Sequence, residues 1–216
     1  MKFAVVLAFA TSALAAAIEP REVKPVSNEF ARQGCRDIIL LWARGSEQEG
    51  NMGNIPGITF AELIEKKYGG DKVAVQGLDY TAKTADNFKP KGASDDSINK
   101  MKKLITDVVK KCPSSRIILG GFSQGAAVVH GATKELDGKV LHRINAVVTF
   151  GGTMNRKHDK KVPNIPKEKT ILICNKGDKI CEDGKLELSP AHSDYEKRAR
   201  EGAEFIFKLF GQDKAY

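Results

Sequence analysis

Short, unbroken apolar runs alternate along the chain with longer stretches whose apolar residues recur at helical intervals. "DIILLWA" (37–43) is such a run, ending in "RGS" as a buried strand entering a loop would. "ITFAELIEKKYG" (58–69) has helical spacing and stops at a glycine, and "KVAVQGL" (72–78) predicts a second strand. "SDDSINKMKKLITDVVKKC" (94–112) is the clearest helix. Ile98, Met101, Leu104, Ile105, Val108 and Val109 fall on one stripe, with Ser94 or Asp95 as the cap. "SRIILGGF" (115–122), "INAVVTFGG" (144–152) and "KTILICN" (169–175) predict three more strands. "AAVVHGATKEL" (126–136) and "DYEKRAREGAEFIFKLF" (194–210) predict helices. Strands alternating with helices argue for an α/β fold: a three-layer α/β/α sandwich around a mainly parallel, five-stranded sheet. The 216 residues suffice for one substantial domain, and no repeat, linker or low-complexity block divides them.

The N-terminus stands outside this pattern. "MKFAVVLAFATSALAAA" has one lysine, an apolar centre and small residues around an "ALA" step. It reads as a secretory signal peptide over 1–17, too short to anchor in a membrane, and no later run is apolar enough to span one. Residues 18–34 carry proline and charge without periodicity, as a propeptide or a flexible N-terminal arm would; the domain is expected over 35–216. Secretion changes how the four cysteines read. An even count in an oxidising compartment suggests two disulfides, with three pairings formally open. Cys174 and Cys181 are near neighbours in sequence, which makes a local staple easiest and leaves Cys35 with Cys112. With no CxxC pair and no histidine cluster, a metal site is not expected.

The net charge is +8, and only Lys2 of it lies in the leader. The lysines gather in 100–111, 157–169 and 176–185 without interleaved aromatics, so a solvated basic surface is expected and a nucleic-acid partner is not. The sharper reading of that charge is attraction to an anionic polymer outside the cell. Monomer is the default, because no coiled coil or long apolar surface stripe is evident.

The chemistry centres on "GGFSQGAAVV" (120–129). Ser123 lies between Gly121 and Gly125, after an apolar strand and before a helix. This is the setting of a nucleophile elbow, in which flanking glycines let strand and helix pass closely and the serine projects from the apex. A serine hydroxyl needs a base, and on such sheets the order is Ser, then acid, then His. His130 follows the elbow too closely, and His142 and His158 precede any acid at a strand end. His192, in "LSPAHSDY", is the candidate base. Asp178, in "KTILICNKGD", is the candidate acid, with Glu182 and Asp183 as rivals; a Cys174–Cys181 staple would stiffen its loop. For an oxyanion hole, Gln124 supplies one backbone N–H and Ser46, in the glycine-rich "ARGSEQEGNMG", the other.

These residues resemble the fungal cutinases, small secreted α/β-hydrolases. The resemblance is carried by "ARGSEQEGNMG", "GGFSQGAA", "CNKGDKIC" and "PAHSDY" in that order, over roughly residues 35 to 210. It implies a lidless serine esterase acting on cutin-type polyesters and short-to-medium acyl esters, without a cofactor. Ser123, Asp178 and His192 would form the triad, and Ser46 and Gln124 the oxyanion hole. Asn87 would steady Ser46, whose hydroxyl would also contribute. It implies the disulfides Cys35–Cys112 and Cys174–Cys181 as well. The chain departs from the family with Phe122 in the elbow, where tyrosine is common. Thr84 and Ser193 replace larger aliphatics, and Glu187 interrupts "KLELSP"; a rim less apolar than usual is therefore expected, with Leu186 and Leu188 remaining. That rim motivates two alternatives: an acetylxylan esterase on the same scaffold, or a surface-binding, effector-like protein with incidental esterase activity.

Overall fold

The computed structural model describes residues 24–212; the expected signal peptide lies outside them. Five strands form one all-parallel sheet in the order β2-β1-β3-β4-β5: β1 Ile38–Ala43, β2 Val73–Gly77, β3 Arg116–Phe122, β4 Ile144–Phe150 and β5 Thr170–Ile173. Each strand lies inside the segment that its apolar run predicts.

Strand alternation divides the core in two. On one face Ile39, Leu41, Ile117, Leu119 and Val147 pack against α3 (Asp95–Lys111) and α4 (Gln124–Glu135). On the other, Leu40, Trp42, Ile118, Val148 and Phe150 meet α2 (Gly57–Tyr68) and α8 (Ala199–Gln212). Both faces are covered, so the strands read as continuous apolar runs instead of alternating ones. The α3 stripe is buried at Ile98, Met101, Ile105 and Val108, and Ser94 Oγ accepts from the Ser97 N–H as its cap. Asp95 is the first residue of the helix and not its cap.

Both disulfides have the expected pairing. Cys35–Cys112 ties the approach to β1 to the end of α3, and Cys174–Cys181 closes the loop between β5 and the short helix α6 (Lys179–Asp183).

Two expectations are refined by the structure. Within the stretch 18–34, expected as a propeptide or a flexible arm, residues 27–33 are docked on β2. Ser27 Oγ donates to the Val75 carbonyl, Gly77 N–H donates to the Ser27 carbonyl, and Val75 N–H donates to Glu29 Oε2. The short helix α1 (Glu29–Gln33) buries Phe30, which supplies the apolar contact a loose arm would lack. Residues 18–23 lie outside the described ones. The last long helix starts at Ala199, not at Asp194. His192 sits in a one-turn helix, α7 (Pro190–Ser193), with proline in its first turn, and Tyr195 follows it into the core. Another short helix, α5 (Gly138–Leu141), connects α4 to β4.

Candidate active site

The turn from β3 into α4 positions Ser123. Its φ of 53° and ψ of −116° are rarely adopted by residues other than glycine, and such strain persists only where the surroundings enforce it. Here they do. Ser123 N–H donates to the Phe150 carbonyl at 2.9 Å. A Cβ at Gly121 would stand 2.6 Å from the Gly125 carbonyl oxygen, and one at Gly125 only 2.0 Å from that of Ala43. The glycines are therefore required by the crossing of strand and helix. As the first residue of α4, Gln124 has a backbone N–H that the helix does not use.

Loops at the carboxyl ends of the strands bring Asp178 and His192 to Ser123. Ser123 Oγ donates to His192 Nε2 at 2.9 Å, and His192 Nδ1–H donates to Asp178 Oδ2 at 2.9 Å. The second carboxylate oxygen, Oδ1, caps α6 by accepting the N–H groups of Ile180 and Cys181. Burial pushes the Asp178 carboxyl up. Hydrogen bonds from His192 and Tyr195, the nearby imidazole charge and the Cys181 N–H outweigh it, so the group is held below the ordinary carboxylate range. The result is an ionised acceptor that fixes the tautomer of the imidazole and leaves Nε2 free to accept the serine proton. Phe122 stacks on the His192 ring at 5.2 Å between centroids and restrains its other face.

The rival groups lie elsewhere. Glu182 accepts the Gly177 N–H, and Asp183 is exposed at the end of α6. His130 is buried inside α4 and shares a 2.9 Å Nδ1–Nδ1 hydrogen bond with His158, while His142 caps α5.

Asn87 Nδ2 donates to Ser46 Oγ at 2.8 Å, and Gln124 Nε2 donates to Asn87 Oδ1 at 3.1 Å and to the Lys83 carbonyl. The loop that carries Ser46 is stiffened by two residues whose roles lay unread in the sequence. Gln48 accepts the Gly45 N–H on Oε1, donates from Nε2 to the Ile55 carbonyl, and accepts Arg44 Nε–H on its own carbonyl. Glu47 donates its N–H to the Ala82 carbonyl and accepts the Thr84 N–H. These partners are three to thirty-seven positions away, so only a folded chain reveals them.

A cleft of about 440 Å³ opens on Ser123 and His192. Ser46, Glu47, Gln48, Thr84 and Asn87 give it polar lining; Ile55, Phe88, Phe122, Ile180, Leu186 and Leu188 give it apolar lining. The expected polar rim is corrected at two points. Glu187 is engaged by Lys179 Nζ at 2.6 Å and does not line the cleft. Phe88, which the sequence did not single out, lines the cleft and is 74% exposed, as Leu188 is at 75%. Thr84 and Ser193 do line the cleft, as expected.

Comparison with known proteins fits this geometry. The cutinase family profile matches residues 34–210. Cutinase CUT2 of Pyricularia oryzae is 40% identical over 207 residues, which are 95% of this chain and 96% of that protein. Among solved structures, a Trichoderma reesei cutinase bound to a phosphonate inhibitor superposes with a TM-score of 0.75 at 31% identity, over 86% of this chain and 80% of that one. The catalytic core of an acetyl xylan esterase from Trichoderma reesei shares the fold, with a TM-score of 0.62 at 16% identity over 81% of this chain and 99% of that one. The chain therefore belongs to the cutinase family, a family of carboxylic ester hydrolases.

Proposed function

We propose that this cutinase-type esterase is a secreted serine hydrolase that cleaves polyester and short-to-medium acyl ester bonds through Ser123, His192 and Asp178. The observation that carries the reading is the pair of 2.9 Å hydrogen bonds linking Ser123, His192 and Asp178 at the floor of an apolar cleft. Ser123 Oγ attacks the ester carbonyl as its proton passes to His192 Nε2, and Asp178 stabilises the imidazolium that forms. The tetrahedral oxyanion is met by the backbone N–H groups of Ser46 and Gln124 and by the Ser46 hydroxyl. The imidazolium protonates the departing alkoxide, leaving an acyl-enzyme on Ser123. Water, deprotonated by His192, releases the acid. Each role falls to this chain's own residues, and no cofactor takes part in the scheme.

The exposed Phe88 and Leu188 favour an aliphatic polyester surface over acetylated polysaccharide, since an acetyl group would leave both without a contact. The leader-like 1–17 and the two disulfides support secretion. The test is a hydrolysis profile of purified protein on p-nitrophenyl esters from acetate to palmitate, beside cutin and acetylated xylan, with Ser123→Ala as control. Release of cutin monomers that disappears in Ser123→Ala is expected. Activity confined to acetate groups would assign the chain to carbohydrate de-esterification, and substantial turnover by Ser123→Ala would remove Ser123 from the mechanism.

A further inference from the structure

Asp178 receives a fourth hydrogen bond that the triad scheme does not need. Tyr195 Oη donates to Asp178 Oδ2 at 2.6 Å, the same oxygen that accepts His192 Nδ1–H. Tyr195 Oη in turn accepts the Asn175 N–H at 2.9 Å. The phenol is fully buried, and its ring meets His192 edge-on at 6.1 Å and Phe122 at 5.6 Å. The Asn175 side chain adds a clasp between the same two segments, donating to the carbonyls of Ala191 and Asp194. Arg198 closes it by donating to Asn175 Oδ1.

A tyrosine needed only for packing would not require a polar tip aimed at a carboxylate. A buried hydroxyl must find a partner, but the choice of partner has consequences. Here the phenol occupies one lone pair of Oδ2, which confines the imidazole to the other. It also draws electron density from the oxygen that steadies the imidazolium. Burial, followed by the bond to Asp178, pushes the Tyr195 hydroxyl far above its ordinary range, which keeps it protonated and a donor near neutral pH.

We propose that Tyr195 is a positioning residue of this esterase, acting through Asp178 to set both the direction and the strength of the Asp178–His192 bond. This inference rests on the Ser123–His192–Asp178 reading. Among the described residues, the charged and titratable groups that act on the relay are Asp178, His192, Tyr195 and Arg198.

The test compares wild type, Tyr195→Phe and Ser123→Ala on p-nitrophenyl butyrate across pH. Losing the phenol proton concentrates charge on Oδ2 and favours the imidazolium. The acid limb of kcat/KM is then expected to move to higher pH by about half a unit or more, while kcat at the plateau falls about tenfold and KM stays constant. 3-Fluorotyrosine placed at position 195, a stronger donor, should move the acid limb the other way; this arm decides the matter if Tyr195→Phe does not fold. An unmoved acid limb in the folded variants, with or without a fall in kcat, would reduce Tyr195 to a packing role and overturn the proposal. If Ser123→Ala keeps its activity, the triad reading itself has failed; if Ser123→Ala is inactive and the limb is unmoved, only the Tyr195 proposal has.

Discussion

Asn87 Nδ2 donates to Ser46 Oγ at 2.8 Å, which leaves the Ser46 hydroxyl proton to point elsewhere. An oxygen that already accepts one bond keeps its own O–H free to donate into the cleft, where the proposed oxyanion would develop. Asn87 is itself held by Gln124 Nε2, so the donors on both sides of the proposed oxyanion hole are joined in one network. Asn87→Ala is expected to lower kcat by about a hundredfold with little change in KM, as for loss of one oxyanion donor. Steady-state kinetics on a soluble ester would check this; a pure KM effect would place Asn87 in substrate binding instead.

The elbow makes a stability prediction. Gly125→Ala puts a methyl group 2.0 Å from the Ala43 carbonyl oxygen, a backbone atom that cannot swing aside. The loss should exceed about 3 kcal/mol, at or beyond the upper end of ordinary overpacking. Gly138→Ala, where nothing lies within 4 Å, serves as the near-neutral control. Chemical denaturation of both variants gives the comparison.

The two disulfides should separate stability from activity. In the chain-entropy picture Cys35–Cys112, spanning 77 positions, contributes roughly 4 kcal/mol, and Cys174–Cys181, spanning 7, roughly 2.5 kcal/mol. The short loop carries Asp178. Replacing Cys174 and Cys181 by serine should therefore cost less stability but lower kcat about tenfold. Replacing Cys35 and Cys112 should cost more stability and leave kcat of the folded protein unchanged. Melting curves and kinetics on the two double variants check the crossover.

The His130–His158 pair predicts acid lability. Burial, then the neighbouring His158, lowers His130 from the ordinary 6.5 to about 3; burial, then Lys134 and Lys157, lowers His158. Below about pH 6.5 the unfolded chain takes up protons that the folded one refuses. Stability is thus complete above that pH and declines as the pH falls toward 3, by up to about 1.4 kcal/mol per unit for His130. Denaturation at pH 4.5 and 7 should show the difference, and His130→Leu should flatten it.

Much of this was legible in the chain itself, for physical reasons that can be named. "DIILLWA" and "INAVVTFGG" read as strands because both of their faces are covered, whereas the cap of α3 stayed open between Ser94 and Asp95 until the Ser94 side chain was seen to accept the Ser97 N–H. The meeting of Ser123, Asp178 and His192 followed from their order around strand ends. Tyr195, Gln48 and Phe88 did not. Tyr195 looks like one aromatic in a charged stretch until α7 turns it inward, and Gln48 is one polar residue among several in its loop. Glu187 misled for the same reason: its direction is set by Lys179, eight positions earlier, and not by its own chemistry.

The segment 27–33 has a further meaning for handling the molecule. The outer side of β2 is a sheet margin, and its backbone groups at Val75 and Gly77 are taken up by Ser27 and Glu29. Exposed strand margins recruit other chains. A version trimmed to begin at Cys35, the first cysteine and the start the sequence alone suggests, would bare that margin. It would keep every residue of the proposed chemistry and still be prone to edge-to-edge self-association, so the useful starting point for a recombinant product lies upstream of Pro25, whose carbonyl accepts the N–H groups of Asn51 and Met52.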